Sequence, residues 1–399
     1  MSDAREIVVV NLTSAPSVVG GAVLAAQWHS WYMAAKMPLT LWRMWDKDEC
    51  VVLDHLKIRN FASRIKFGTL GSLLPGLAKK VLLESDIVLA LRKNPPKIVH
   101  LQNPSPALEF EKIARQSSRL GTKVVVSTHG FQEIFDPHYG YDKLYHRIGW
   151  NLLLRNPLHR SFKNVDAFLV GFPQQRQFLA GLGVPERKMH LVPNGIDPFF
   201  NETATPKECA EVRKKFELQA DCPMLLFMGN HTLNKGLGTL IKLATDLTVP
   251  ATVVIGGKLL KGEPDKWLSG IVLPPHVRVV FTDFLSVAEQ RALYHVASVF
   301  AFPSISETLP LVILEAMAAG LPVVAFDTGG ISYQLEDGAG FAVPLGDFEA
   351  FKAAAHRLLA DPPLRARMSA AAQKRQQEFF AWDALADKTI AVYQRLLSP

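Results

Sequence analysis

Residues 299–325 read VFAFPSISETLPLVILEAMAAGLPVVA. The apolar run Val299–Phe302 predicts a buried parallel strand, ended by Pro303 and a Ser-bearing loop. Thr308 is placed to cap a following helix that carries Leu311, Leu314, Ala318 and Ala319 on one face and stops at Gly320-Leu321-Pro322. A second apolar strand, Val323–Phe326, follows at once. In a strand–loop–helix unit the helix N-terminus lies at the carboxyl edge of the sheet, where free N–H groups and the positive dipole end favour phosphate. Glu307 stands in that loop and Glu315 within the helix. Carboxylates are poor phosphate ligands, but they accept hydrogen bonds from neutral hydroxyls. Phosphate and polyol together point to a nucleotide-sugar. Either glutamate alone also fits a solvated surface position. Glu315 is set apart because it interrupts Val-Ile-Leu and Ala-Met-Ala, and a carboxylate amid apolar side chains needs a partner.

Outward from this unit the chain alternates strand and helix. Strands are expected near Ile7–Val10, Val51–Leu53, Ile98–Leu101, Val124–Ser127, Ala167–Val170 and Leu191–Val192. Helices are clearest at 21–35, 106–119 and 173–182. After a polar stretch reaching about Asp221, a second series offers Met224–Met228, Ala251–Ile255, Val277–Phe281, Val299–Phe302 and Val323–Phe326. Two βα series predict an α/β protein with two doubly wound parallel sheets, and ligands at their carboxyl edges in a cleft between domains. The expected domains are 1–198, joined by a C-terminal helix over about 383–399, and 199–382.

A chain of 399 residues suits two ordinary domains. No run of 18 uninterrupted apolar residues appears, so a spanning helix is not expected. The opening MSDAREIVVVN has no basic-then-apolar leader, which argues against secretion and for a cytoplasmic protein. Three cysteines (Cys50, Cys209, Cys222) have neither disulfide nor metal-site spacing, and a reducing compartment fits them. Residues 1–195 hold 25 Lys and Arg against 15 Asp and Glu, net +10; residues 196–399 hold 19 against 22, net −3. Two runs, Lys57–Leu83 and Lys143–Lys163, mix cations with large apolar side chains and contain no acid. That composition suits peripheral contact with an anionic membrane face or a phosphorylated acceptor, and equally an ordinary helix surface with snorkelling cations. Nucleic acid is not expected, because no binding motif or aromatic–basic interleaving is present.

Further pieces fall at strand ends. Gly20-Gly21 follows the first strand and opens a helix, letting backbone N–H groups approach a ligand. Gly229-Asn230-His231-Thr232-Leu233-Asn234-Lys235-Gly236 follows the first strand of the second series, where a diphosphate requires a cation. Ser127-Thr128-His129-Gly130 closes another strand, and Pro193-Asn194-Gly195-Ile196-Asp197 precedes the second series. Asp46-Lys47-Asp48 has the shape of a metal-binding Asp-x-Asp, but the lysine and a turn setting favour a solvated loop.

In this order these segments, with the Glu307–Glu315 pair (E-x7-E) and Phe379-Phe380-Ala381-Trp382, resemble the retaining glycosyltransferases of family 4. The resemblance runs along nearly the whole chain. It implies a GT-B fold, with the last helix returning to the N-terminal domain. It also implies transfer of a hexose-type sugar from a UDP- or GDP-linked donor to a glycan or lipid-linked acceptor, with no cofactor and no metal. By resemblance His129 and Glu307 serve catalysis at the donor sugar. Gly20, Gly21, Asn230, Lys235, Leu285, Thr308, Leu309 and Leu311 join Glu307 in donor binding, and Glu315 accepts from the ribose. Four positions depart from the family pattern: Asn230 stands where Arg is usual, Thr308 where Gly is common, Asp283 where Gly is frequent near the base pocket, and Tyr333 where Glu is frequent. A non-catalytic nucleotide- or partner-binding protein, or another GT-B enzyme such as a sugar-nucleotide epimerase, is the alternative.

Overall fold

Parallel strands buried on both faces organise each half of the chain. The structure is a computed structural model that describes residues 7–13, 21–65, 82–135, 144–231, 233–259 and 262–398. It divides into one unit of residues 1–195 and 382–399, and a second of 196–381.

In the first unit, β1 (Ile7–Asn11), β2 (Leu39–Trp45), β3 (Glu49–Leu53) and β4 (Leu56–Ala62) are followed by the short pair β5 (Arg64–Ile65) and β6 (Leu83–Glu84). Then come β7 (Ile98–Gln102), β8 (Lys123–Ser127), β9 (Ala167–Val170) and β10 (Met189–Leu191). The main sheet runs β10-β9-β8-β7-β1-β2-β4-β3, and only β3 is antiparallel to its neighbour. Strands β2 and β4 lie outside the sequence expectation. Leu56-Lys57-Ile58-Arg59 alternates buried and exposed residues, a half-covered pattern that its cations disguise in sequence. Val10, Leu101, Val124 and Val126 form a fully buried centre, against which Phe110 and Ile113 of the Ala107–Arg119 helix pack.

The C-terminal helix Trp382–Leu397 belongs to this unit. Trp382 stacks on His29 of the Gly21–Ala34 helix at 5.1 Å, and Thr389 hydrogen-bonds His29 Nε2 at 2.9 Å. Lys36 reaches both Asp383 and Asp387, at 2.9 and 2.7 Å.

In the second unit, β11 (Met224–Met228), β12 (Ala251–Gly256), β13 (Val277–Phe281), β14 (Val299–Phe302), β15 (Val323–Phe326) and β16 (Gly340–Val343) form a wholly parallel sheet ordered β13-β12-β11-β14-β15-β16. This is a doubly wound order: the chain winds outward to one side from β11 and to the other from β14, so the loops after these two strands part at a switch point. The first sheet has its corresponding switch between β1 and β7. Strand β16 was also not expected; it is a short edge strand that opens on Gly340.

Candidate active site

The loops after β11 and β14 are pressed together by backbone geometry. Gly236 sits at φ 74°, and a Cβ there would lie 1.9 Å from the Pro303 carbonyl oxygen, so only glycine fits. Ile305 N–H and Ser304 Oγ both donate to the Asn234 carbonyl, at 2.8 and 3.1 Å. On the other side, Gly329 (φ 62°) lies so near the Glu307 carbonyl that a Cβ would approach within 2.2 Å. Gly330 N–H donates to Thr308 O at 2.8 Å. The Glu307 loop is therefore clamped between the loops that follow β11 and β15.

Within that clamp Lys235 Nζ meets Glu307 Oε1 at 2.5 Å. The Glu307 side chain is only 9% exposed, and the ammonium lies 5.8 Å from the Phe302 ring centroid. A cation and a carboxylate thus meet at the carboxyl edge of the sheet, at its switch point. Asn230 lies on the same loop as Lys235, exposed; Leu309 is buried beside Glu307, and Leu311 opens the helix Leu311–Ala318. Leu285 is buried in the loop after β13. There Asp283 (φ 59°) accepts from Leu259 N–H at 3.0 Å, and backbone N–H donors hold its carboxyl below the usual range.

The capping role expected of Thr308 is not what the structure shows. The helix begins at Leu311 behind Pro310, which makes no side-chain cap. Pro310 supplies a preset φ and no N–H, so the helix starts without a hydroxyl cap. Thr308 Oγ1 is instead buried with no hydrogen-bond partner.

Glu315 is partly buried on the same helix, and its Oε2 accepts from the Tyr294 hydroxyl at 2.9 Å. Burial, together with the nearby Asp197 charge and against the Tyr294 hydrogen bond, raises its pKa to about 7. Tyr294 lies on the helix Val287–Val296 and is 1% exposed. Nothing in the sequence marks it, because the contact joins two helices and has no fixed spacing.

His129 and Gly21 belong to the first unit, and Gly20 lies outside the described residues. His129 follows β8, and burial lowers its pKa to about 4, so the ring is neutral at physiological pH. Behind it His100 is fully buried, hydrogen-bonded to Ser127 Oγ at 2.8 Å and Tyr393 Oη at 2.6 Å. Burial likewise lowers His29 to about 3, with a smaller contribution from His129. At the switch point, paired across β1 and β7, Asn11 and Gln102 are almost completely buried. Asn11 Oδ1 and both polar atoms of the Gln102 side chain lack a hydrogen-bond partner. Their sequence signal is a polar residue closing an apolar strand, as in IVVVN and IVHLQ.

The Asp46–Asp48 segment is the turn between β2 and β3, with Lys47 paired to Glu49 at 2.9 Å. Among the described residues no group of three or more His, Cys, Asp or Glu side chains is placed to hold a metal ion. Among them, too, no helix is long and apolar enough to cross a membrane.

Residues 209–375 match the family model described as Glycosyl transferases group 1, and residues 61–199 match the model Glycosyltransferase Family 4. The chain is 32% identical over 240 residues to an uncharacterized glycosyltransferase of Methanocaldococcus jannaschii, covering 59% of this chain and 61% of that protein. It is 31% identical over 228 residues to an alpha-maltose-1-phosphate synthase of Mycolicibacterium smegmatis, 53% of this chain and 58% of that one. The chain thus spans about six-tenths of the length of the curated relatives it matches. Two solved structures share the fold. Sucrose-phosphate synthase of Thermosynechococcus elongatus has a TM-score of 0.74 at 21% identity, over 98% of this chain and 99% of that one. Anabaena HepE in complex with UDP-glucose has a TM-score of 0.73 at 17% identity, over 97% and 99%.

Proposed function

Because the chain belongs to the glycosyl transferases of group 1, the family 4 type with a GT-B fold, we propose that it is a glycosyltransferase. It moves a hexose-type sugar from a nucleoside-diphosphate donor, UDP- or GDP-linked, to a glycan or lipid-linked acceptor with retention of configuration. The observation that carries this reading is the Lys235–Glu307 pair at the β11–β14 switch point.

Breaking the anomeric C–O bond leaves negative charge on the diphosphate and positive character on the sugar, so the site must stabilise a departing anion. Lys235 supplies a cation at that edge, and the Leu309 and Leu311 N–H groups supply donors near the helix start. With that charge provided by the chain itself, the reaction requires no metal. Donor phosphate exchanges for Glu307 on the ammonium, and the freed carboxylate accepts from sugar hydroxyls. Glu315 accepts from the ribose. His129, a neutral ring, takes the role that the resemblance implies, donating to a hydroxyl of the transferred sugar. A UDP-glucose donor is favoured by the ligand of HepE.

The acceptor is presented at the cytoplasmic face of a membrane. Much of the basic run 57–83 lies outside the described residues. In the run 143–163, Ile148 and Leu152 are 51% and 60% exposed, flanked by exposed Arg147 and Arg155. Apolar side chains among cations suit an anionic lipid surface. Flotation with phosphatidylglycerol vesicles should lose the protein when Ile148 and Leu152 are both changed to Glu, and unchanged flotation contradicts the contact.

Turnover of UDP-glucose and GDP-mannose by wild type, Glu307→Ala and His129→Ala tests the enzyme reading. Wild type should release nucleotide, in EDTA as well as in magnesium, and both variants should lose most of that rate. No release from any common donor, or strict dependence on a divalent cation, contradicts it.

A further inference from the structure

Glu315 does not stand alone on its helix. Its Oε2 is held at 2.9 Å by the hydroxyl of Tyr294, from a neighbouring helix. Tyr294 is itself fixed. It is 1% exposed, and its ring meets Phe200 edge-on at 5.9 Å and Phe300 at 5.7 Å. A buried phenol with one proton to donate is committed to its acceptor. Asp197, the other charged group acting on Glu315, has one oxygen accepting from Phe199 N–H at 3.0 Å. The carboxylate is therefore restrained at one oxygen by a rigid donor, which leaves Oε1 to meet a ligand.

We propose that Tyr294 is a positioning residue for the nucleotide. By fixing the plane and rotamer of the Glu315 carboxylate, it sets how strictly the site demands a ribose hydroxyl pair over a deoxyribose. The proposal rests on the reading of Glu315 as the ribose acceptor. A site built to accept from a hydroxyl discriminates against a ligand lacking it only while its own acceptor is held in place. A carboxylate freed to rotate would follow either ligand and lose the distinction.

The test is calorimetric binding of UDP, GDP and ADP against their 2′-deoxy and 3′-deoxy counterparts, with wild type, Tyr294→Phe and Glu315→Gln. Wild type should prefer at least one ribonucleotide by about tenfold. Tyr294→Phe, which removes one oxygen atom and keeps the ring, should bring that ratio close to unity while the melting temperature stays near that of wild type. In a Glu315→Gln background the same change should have no further effect. An unchanged ratio in Tyr294→Phe overturns the proposal, and if Glu315→Gln has meanwhile lost the ratio, the ribose reading survives. A Glu315→Gln protein that keeps both affinity and ratio overturns the ribose reading itself. Glu315→Asp, which shortens the side chain away from Tyr294 but keeps the charge, gives a second reading if Tyr294→Phe does not fold: a wild-type ratio there also overturns the proposal.

Discussion

At the β11–β14 switch point the polar groups are charged and paired with one another, whereas at the β1–β7 switch point they are neutral and partly unpaired. Lys235 and Glu307 meet at 2.5 Å in the one. In the other, Asn11 and Gln102 hold amide atoms without partners, near histidines that burial keeps uncharged. Both are carboxyl edges of parallel sheets, so the fold does not choose between them; the side chains do. A cation with a hydroxyl acceptor suits a diphosphate joined to a sugar. Neutral amides suit an uncharged polyol, whose hydroxyls both donate and accept.

The comparison breaks first at Lys235. Lys235→Ala should lower kcat/KM for the donor by about 100- to 1,000-fold, because an anion-stabilising group acts mainly in the transition state. Glu307→Gln should lose turnover similarly but bind bare UDP or GDP roughly threefold more tightly, since the ammonium no longer has a competing carboxylate. Titration calorimetry reads the difference, and equal weakening by both variants would mean the pair is purely structural.

The two regions should also respond oppositely to pH. Glu315 is raised from 4.5 to about 7, so the folded state disfavours its ionisation, and that contribution to stability is lost as pH rises from 4.5 through 7. Glu315→Gln should therefore melt higher than wild type at pH 8 while binding nucleotide less well. His29 has the reverse sign. Its pKa falls from 6.5 to about 3, so the unfolded chain takes up a proton that the folded chain refuses, and stability drops as pH falls below 6.5. The slope reaches at most about 1.4 kcal/mol per pH unit for each such histidine. Melting curves between pH 7.5 and 4.5 should show that decline, and His29→Leu should flatten it. The smallest effect belongs to Gln102→Leu, which replaces unpartnered amide atoms with carbon. It should leave the melting temperature unchanged or slightly higher, and a clear fall would show that the amide is satisfied by bound water.

Much of the second unit was legible in sequence. Val299–Phe302 and Val323–Phe326 are strands with the bounds their apolar runs predict, because strands buried on both faces leave uninterrupted hydrophobic words, and the half-exposed edge strand Val277–Phe281 has its predicted bounds too. Strands β2 and β4 were not, since Arg43 interrupts the largely buried β2, and Lys57 and Arg59 line the exposed face of β4. At the site, Lys235 and Glu307 could be nominated from their places after strands, although 72 positions separate them. The Thr308 cap could not be excluded, because whether a hydroxyl or a proline opens a helix depends on where the backbone turns. Tyr294 was invisible: a partner brought by packing between helices leaves no local pattern.

The most direct measurement is a crystal structure of the protein soaked with UDP-glucose. The diphosphate should lie within hydrogen-bonding distance of Lys235 Nζ, with the ribose hydroxyls at Glu315 and Glu307 released from the lysine to the glucose. A nucleotide bound away from the β11 and β14 loops, with the Lys235–Glu307 pair intact, contradicts the account.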